Sequence, residues 1–349
     1  MQVDTIALRK QRIYLSEEAE YAYLSTEEAL DQANLLDSSS TQNIGIIYGN
    51  DSSTGAIVEA HEAASQHKQT LMMGQSAVFK TMTSNVSMNL SSIFHLKGLN
   101  LSVAAACASG AHSVGLATTL IRQGCQDVIV CGGAQEVNTY SMASFDAIDA
   151  FSKRTTSPSE ASRPFDKDRD GLIPSGGAAT IILEEYEHAK KRGATILCEI
   201  LGYGFSSNGN SIVLPDSESY CTAMQNAIHD AGIEAADIQL VNAHATSTIK
   251  GDAEEAKAIS RLFGNTPVCA TKSLTGHECW MAGASSIVYS VLMMKNLFAS
   301  ANINFREQEG TAEKINIVRR PAEIEIRHLI SNSFGFGGTN ACIVIKNMH

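Results

Sequence analysis

Three kinds of side chain able to move acyl groups stand at unusual points of this 349-residue chain. They are a cysteine in VAAACASGAH (103–112), a histidine in NAHATST (242–248), and a lysine and a histidine in TKSLTGHE (271–278). Residues 99 to 105 read as a buried strand, and SGAHSVGLATTLIRQG reads as an apolar helix ended by Gly124. Cys107 falls at the turn between them. The first amides of a helix lack internal partners and carry the positive end of its dipole, so a thiol there is biased toward thiolate. Small neighbours leave the approach open to a bulky ligand. Cysteine is also a common small buried hydrophobe, and this stretch alone fits both readings.

His244 follows the apolar run IQLV, and Lys272 and His277 lie in the polar turn after TPVCA. Both histidines therefore sit past the C-terminal ends of strands, where open α/β sheets build their sites. His61, His67, His95 and His112 have no such placement and read as structural. A thiol can accept an acyl group from a thioester, while two imidazoles can hydrogen-bond a second thioester carbonyl and stabilise an enolate formed there. That chemistry is acyl transfer followed by carbon–carbon bond formation. The loop SNSFGFGGTN (331–340) adds glycines that permit close backbone approach and an amide able to face a developing oxyanion. It precedes a strand, which makes it a poor phosphate cradle. A metal-dependent hydrolase built on His277, Cys279 and Cys269 is the weaker alternative, since His-x-Cys is tight for an ordinary zinc site.

These residues need a frame. Strand patterns at 43–49, 99–105, 127–134, 178–185, 196–207, 238–245, 266–272 and 340–347 alternate with helical patterns such as EEAEYAYLSTEEALDQANL, SYCTAMQNAIHDAG and DAEEAKAISRLFG. The class is α/β. The order strand, reactive turn, apolar helix occurs twice, at LNLSVAA–SGAHSVGLATTLI and at TPVCATK–MAGASSIVYSVLMM. Two similar halves packed face to face would bring both turns to one seam. The halves are expected at 1–190, with the cysteine, and 191–349, with both histidines, joined near YEHAKKRGAT (186–195).

Composition narrows the function classes. A net charge of −11 argues against nonspecific nucleic-acid binding. Lys153, Arg154, Lys167, Arg169, Lys190, Lys191 and Arg192 read as a solvated surface more readily than as a docking patch. No stretch approaches the roughly 20 apolar residues of a membrane span, and the N-terminus lacks the core of a signal peptide. A reducing, cytoplasmic location and free thiols are expected for the eight cysteines, which show no CxxC pair.

ACASGAH, NAHATST followed by GD, TKSLTGH and NSFGFGGTN occur in this order, with SRPFDKDRDG at 162–171. Together they closely resemble the signatures of the β-ketoacyl-[acyl-carrier-protein] synthases of the thiolase superfamily, elongating type I/II, over nearly the whole chain from Val3. The resemblance implies a duplicated thiolase-like fold, two mixed sheets layered between helices as α-β-α-β-α. It implies that Cys107 is acylated, and that His244 and His277 bind a malonyl thioester and assist loss of its carboxylate. Lys272 would help order the histidines, with Asp252 and Glu255 in support. Thr246 and Thr248 would contact a phosphopantetheine arm, and Phe336 would gate the site while its amide joins that of Cys107 in an oxyanion hole. The arm belongs to an acyl carrier protein, so no resident cofactor and no metal is implied. Pairing of the LNLSVAA strand across a two-fold axis would give a dimer, with an identical or a related chain. Thiolases use a second cysteine and starter-condensing synthases an asparagine, so the Cys-His-His set points to an elongating enzyme of fatty-acid or polyketide synthesis. A silent partner subunit, like a chain-length factor, is the alternative; such subunits usually lack the cysteine.

Two departures stand out. The family's first strand, expected inside the N-terminal sheet and important to folding, has no counterpart before Val3, so the sequence is expected to begin late. In GHECWMAGA, Trp280 stands where the family usually has a small residue. An indole adds roughly 200 Å² of apolar area at that place. Trp280 is expected either to pack within the helix or to reshape the acyl pocket for a rigid, conjugated chain of polyene or aryl-polyene type.

Overall fold

The computed structural model describes residues 11–36, 43–308 and 315–348; Val3 lies outside them. Strands β1 (Ile44–Gly49), β2 (Asn100–Val103), β3 (Val128–Gln135) and β4 (Gly177–Glu184) form one sheet in the order β2-β1-β3-β4. The first three are parallel and β4 runs antiparallel to β3. Strands β5 (Cys198–Ser206), β6 (Leu240–Asn242) and β7 (Pro267–Cys269) belong to the second sheet, and β8 (Phe298–Ala299) to a small ribbon. Of the rest, β9 (Asn316–Ile317), β11 (His328–Phe334) and β12 (Asn340–Asn347) complete the second sheet, and β10 (Ala322–Glu323) pairs with β8. The second sheet runs β5-β12-β11-β6-β7-β9.

The described helices of at least eight residues are α1 (Glu17–Gln32), α2 (Thr54–His67), α3 (Asn85–Ile93), α4 (Ser109–Arg122), α5 (Thr139–Ala147), α6 (Ser217–Ala231), α7 (Ile249–Phe263) and α8 (Ala282–Lys295). Helices α1 and α3 cover the outer face of the first sheet, with Ala19, Tyr23, Val86 and Leu90 packed on Ile46, Tyr48 and Val130. Helices α6 and α7 cover the second sheet in the same way, through residues such as Met224, Ala227 and Ile259. Between the sheets lie α4 and α8, whose Ala111, Val114 and Ile287 share a buried cluster with Ile47 and Ile129 on one side and Leu329 and Ile343 on the other. The layers are therefore α-β-α-β-α, as the resemblance implies.

Pattern duplication is explicit in the sheets. The series β4-β3-β1-β2 repeats the pairing of β12-β11-β6-β7: one antiparallel contact, then two parallel ones. In the second sheet β5 flanks β12 antiparallel; beside β4 no strand lies among the described residues. By the same pairing, the counterpart of β5 in the first sheet would lie beside β4.

Two readings of local structure need correction. The 99–105 stretch is not a buried strand: only Asn100–Val103 pairs, at the outer edge of the first sheet, and Leu101 is 48% exposed. Apolar content identified the strand but could not say which side of it lacked a neighbour. Strands β6 and β7 are three residues each, shorter than their apolar runs, because the chain leaves the sheet early to form the loops that carry the histidines.

The central helices touch backbone to backbone. A Cβ on Gly110 of α4 would lie 2.8 Å from the Ala284 amide nitrogen of α8, and one on Gly283 would lie 2.3 Å from that of Ala111. Only glycine allows this approach. Cys107 immediately precedes α4 and His277 shortly precedes α8, so the crossing places the two residues side by side.

Candidate active site

Cys107 lies in a short 3-10 turn, Ala106–Ala108, that runs into α4. The turn is sharp: Ala106 has φ of 47°, unusual for a residue with a side chain. Ser109 Oγ donates to the Ala106 carbonyl at 2.7 Å and accepts from the Ala105 amide at 2.9 Å. Thr339 Oγ1, in the glycine-rich loop, donates to the Ala105 carbonyl at 2.8 Å. The thiol that results is buried, 4% exposed, with His277 Nε2 3.1 Å from its sulfur. The His244 ring stands edge-on to His277 with centroids 5.3 Å apart. One donor atom from each of the three residues lies within 4.8 Å of the others. That spacing would also suit a metal ion, but the free thiol and rings have work of their own and no residue is assigned as a ligand.

Each histidine is held by backbone contacts from elsewhere. Glu255, on α7, accepts the amides of His244 and Ala245 at 2.8 and 2.7 Å and the side-chain amide of Asn332 at 3.0 Å. Asp252 accepts the amides of Phe165, Thr246 and Ser247, with Arg169 Nε 3.8 Å away. Both carboxylates are thus spent on fixing the loop. His277 is clamped by the 173–175 segment: its amide donates to the Ile173 carbonyl at 2.7 Å, and its carbonyl accepts the Ser175 amide at 2.9 Å. Ser162 Oγ donates to the Lys272 carbonyl, and the Arg163 amide donates to Ser247 Oγ. The 162–175 segment of the first half therefore secures both histidine loops of the second. Thr246 and Thr248 bring their hydroxyls within 3.1 Å of each other at the start of α7.

Burial controls the charges. The Cys107 thiol is pushed up to about 12, chiefly by desolvation, against the pull of the Lys272 ammonium; Asp51 pushes it further up. The amides at the start of the helix pull the thiol toward thiolate, as its position implies, and loss of hydration opposes them. Desolvation holds His277 at about 3 and His244 well below its ordinary value, with Lys272 lowering both further. The resting site is a neutral thiol beside two neutral imidazoles. Lys272 is buried, its Nζ makes no hydrogen bond to a protein group, and it acts on the three residues through its charge. Glu255 and Asp252 are raised by burial to about 7 and about 6.

The amides of Cys107 and Phe336 both face the Cys107 sulfur. Phe336 opens the loop in which Gly337 and Gly338 take φ of 77° and 71°, and its ring stacks on Phe145 at 6.4 Å. Trp280 lies in the 3-10 turn Cys279–Met281 before α8; its Nε1 donates to Ser52 Oγ at 3.1 Å and its ring is 6.0 Å from Phe145. It does not point into the packing between the central helices. Lys153 pairs with Asp149, Arg154 with Asp170, Lys167 with Glu307 and Arg192 with Glu184, but Arg169 departs from the solvated-surface expectation: it is buried beside Asp252 because the 166–169 turn folds it against the loop that starts α7.

Sequence reasoning missed Asp51, Phe145, Glu278 and Asn332. Glu278 is buried beside the site and accepts from Ser285 and Tyr289 at 2.8 Å each. Its place directly after His277 was the only available signal. Asn332 opens the quoted motif NSFGFGGTN, and Asp51 and Phe145 come from elements distant in sequence.

A buried thiol paired with one imidazole, a second imidazole beside it and two amides facing the sulfur, on a duplicated α/β frame, define a thiol-dependent acyl-condensing enzyme. Models of the beta-ketoacyl synthase N-terminal and C-terminal domains match residues 6–189 and 197–306. The chain is 39% identical over 346 residues to 3-oxoacyl-[acyl-carrier-protein] synthase 1 of Haemophilus influenzae, covering 97% of this chain and 84% of that one. It superposes on a beta-ketoacyl synthase from Burkholderia phymatum with a TM-score of 0.96 at 33% identity, over 100% of this chain and 86% of that one. A type II polyketide ketosynthase solved with its acyl-carrier protein gives 0.89 at 25% identity, over 99% and 87%. The chain belongs to the beta-ketoacyl synthase family.

With a neutral resting thiol, alkylation of Cys107 by iodoacetamide should climb roughly tenfold per pH unit between pH 7 and 9, following the thiolate fraction. Peptide mass mapping at each pH measures it; a plateau below pH 8 would show a resting thiolate instead.

Proposed function

We propose that the chain is a 3-oxoacyl-[acyl-carrier-protein] synthase that elongates acyl chains in fatty-acid or polyketide synthesis. The observation that carries the reading is the 3.1 Å contact between His277 Nε2 and the Cys107 sulfur, with His244 at its side. Cys107 attacks the acyl thioester while its proton passes to His277, which then holds the proton that the leaving carrier thiol takes, so no resting thiolate is needed. The amides of Cys107 and Phe336 hold the oxyanion, and the carrier's thiol leaves with a proton. A malonyl thioester then binds with its carbonyl against the N–H groups of His244 and His277. Its C–C bond to the carboxylate breaks, CO₂ leaves, and the resulting enolate carbon attacks the Cys107 thioester. The C–S bond breaks, releasing the 3-oxoacyl thioester and a Cys107 thiolate, which takes up a proton from solvent to restore the thiol. Thr246 and Thr248 offer hydroxyls to the phosphopantetheine arm, Phe336 serves as gate, Lys272 sets the field, and Asp252 and Glu255 hold the loop. The arm arrives on an acyl carrier protein, so the enzyme needs no cofactor of its own. Eight free cysteines fit a reducing, cytoplasmic setting; no helix among the described residues is long and apolar enough to cross a membrane.

Intact mass spectrometry after incubation with an acyl-carrier thioester should show one acyl adduct, absent from Cys107→Ala. An unmodified wild-type protein would favour the silent-subunit reading.

The unpaired edge of β2, with Leu99 and Leu101 exposed, is the surface through which a second chain would extend the sheet. Sedimentation should give a dimer, alone or with a related subunit, and Leu101→Lys should weaken it; an active monomer would refute this.

Trp280 supports a specialised substrate. Its ring is 6.0 Å from that of Phe145, which stacks on the gate residue Phe336, so the indole stands in the aromatic group beside the gate. A flat wall suits a rigid conjugated chain of polyene or aryl-polyene type. In elongation assays the wild type should prefer polyunsaturated donors, and Trp280→Gly should shift that preference toward saturated chains by about tenfold, the scale of one pocket contact. Equal saturated-chain preference in both proteins would leave ordinary fatty-acid elongation.

A further inference from the structure

The loop between β1 and α2 makes a contact that none of the residues above accounts for. Asp51 Oδ2 accepts the amide of Ala106, the residue before the nucleophile, at 2.7 Å. That amide opens the nucleophile turn, where no helical carbonyl is available to it, and it belongs to the residue whose φ is left-handed. Ser109 and Thr339 hold the carbonyls of Ala106 and Ala105, and Ser109 holds the Ala105 amide. Asp51 supplies the remaining restraint on Ala106.

An acid is a costly choice for this task. The groups acting on the Cys107 thiol are His277 in contact, Lys272 through its charge, and the amides of Cys107 and Phe336, with Cys279, Tyr220 and His244 close by; Asp51 is an acid that opposes ionisation of the thiol. A carboxylate that disfavours thiolate yet sits beside the nucleophile needs a compensating role, and its hydrogen bond to the backbone provides one. The neighbouring residue extends the same loop to Trp280. Ser52 Oγ accepts from Trp280 Nε1 and donates to Glu136, and Glu136 in turn accepts the Thr54 and Gly55 amides that begin α2.

We propose that Asp51 is a positioning residue for the condensation, holding the Ala106 amide so that the Cys107 sulfur faces His277 and the two oxyanion amides. The loop that carries it thereby joins two settings in one rigid piece: where the thioester forms, through Asp51, and the aromatic group beside the gate, through Ser52 and Trp280. The proposal rests on Cys107 being the acylated residue.

The test compares Asp51→Ala with Asp51→Asn in the full-length protein. Wild-type acyl adduct formation first reads the underlying assignment of Cys107. Iodoacetamide alkylation of Cys107 needs no acyl donor and reads the turn independently of it. Asp51→Ala removes both acceptor and charge and should slow acylation by about 10- to 100-fold, the scale of a misplaced reacting group. Asp51→Asn keeps an acceptor for the Ala106 amide and should stay within about threefold of wild type by the same reasoning. Its alkylation profile should move to lower pH, because the carboxylate no longer opposes the thiolate. Rescue by asparagine together with that shift separates positioning from a loss of folding, which would not move the pH profile of the folded protein. Asp51→Ala acylated as fast as wild type, or Asp51→Asn as slow as Asp51→Ala, would overturn the proposal.

Discussion

The crossing of α4 and α8 at Gly110 and Gly283 is the constraint on which the rest of the molecule depends. Two helices can exchange backbone contact only where side chains are missing from both, and here each glycine faces the other helix's main chain. The helices also form the middle layer, so the distance between the two sheets is set at the same point. Each helix begins just after a reactive turn. Closing the helices therefore closes the distance between a thiol from one half and an imidazole from the other, and a Cβ at either position would push these apart before it affected either sheet.

The catalytic neighbourhood is buried, with Cys107, His244, Lys272 and His277 all withdrawn from the surface. Desolvation dominates every shift there: it keeps the thiol protonated, the imidazoles uncharged and the supporting acids raised. Burial lowers the pKa of Lys272, whose Nζ has no hydrogen-bond partner; when charged, it favours anionic sulfur and disfavours cationic histidine. A low-dielectric site strengthens such effects, which suits a reaction whose charged species exist only in passing.

Much of this was legible in the sequence, and what was not has physical reasons. Cys107, His244, Lys272 and His277 could be picked out because each follows an apolar strand in a turn too polar or too small for packing alone. The repeat of strand, turn and helix foretold the duplicated sheets. Residue types do not report the depth of burial, so the desolvation that opposes the helix-start amides at the thiol could not be read from its position. Nor do they show which strand ends a sheet: Leu101 has the same apolar character as the fully buried Ile46 and Ile47 of β1, yet lies on the edge. Asp51 escaped notice because its partner is a backbone amide 55 positions away, and backbone partners leave no pattern of residue types.

The strap from Ser162 to Ser175 has a wider consequence. It leaves the first half to grip the backbone on either side of His277 and the turn at Ser247, so the chain is stitched across its own seam. A two-lobed enzyme ordinarily gains access to its substrates by swinging the lobes apart, with the hinge in the connection between them. Here the connection is not free to act as a hinge, because opening the lobes would strip hydrogen bonds from the catalytic loops themselves. Entry and exit must be handled by short side-chain and loop movements at the mouth, while the two lobes denature as one cooperative body.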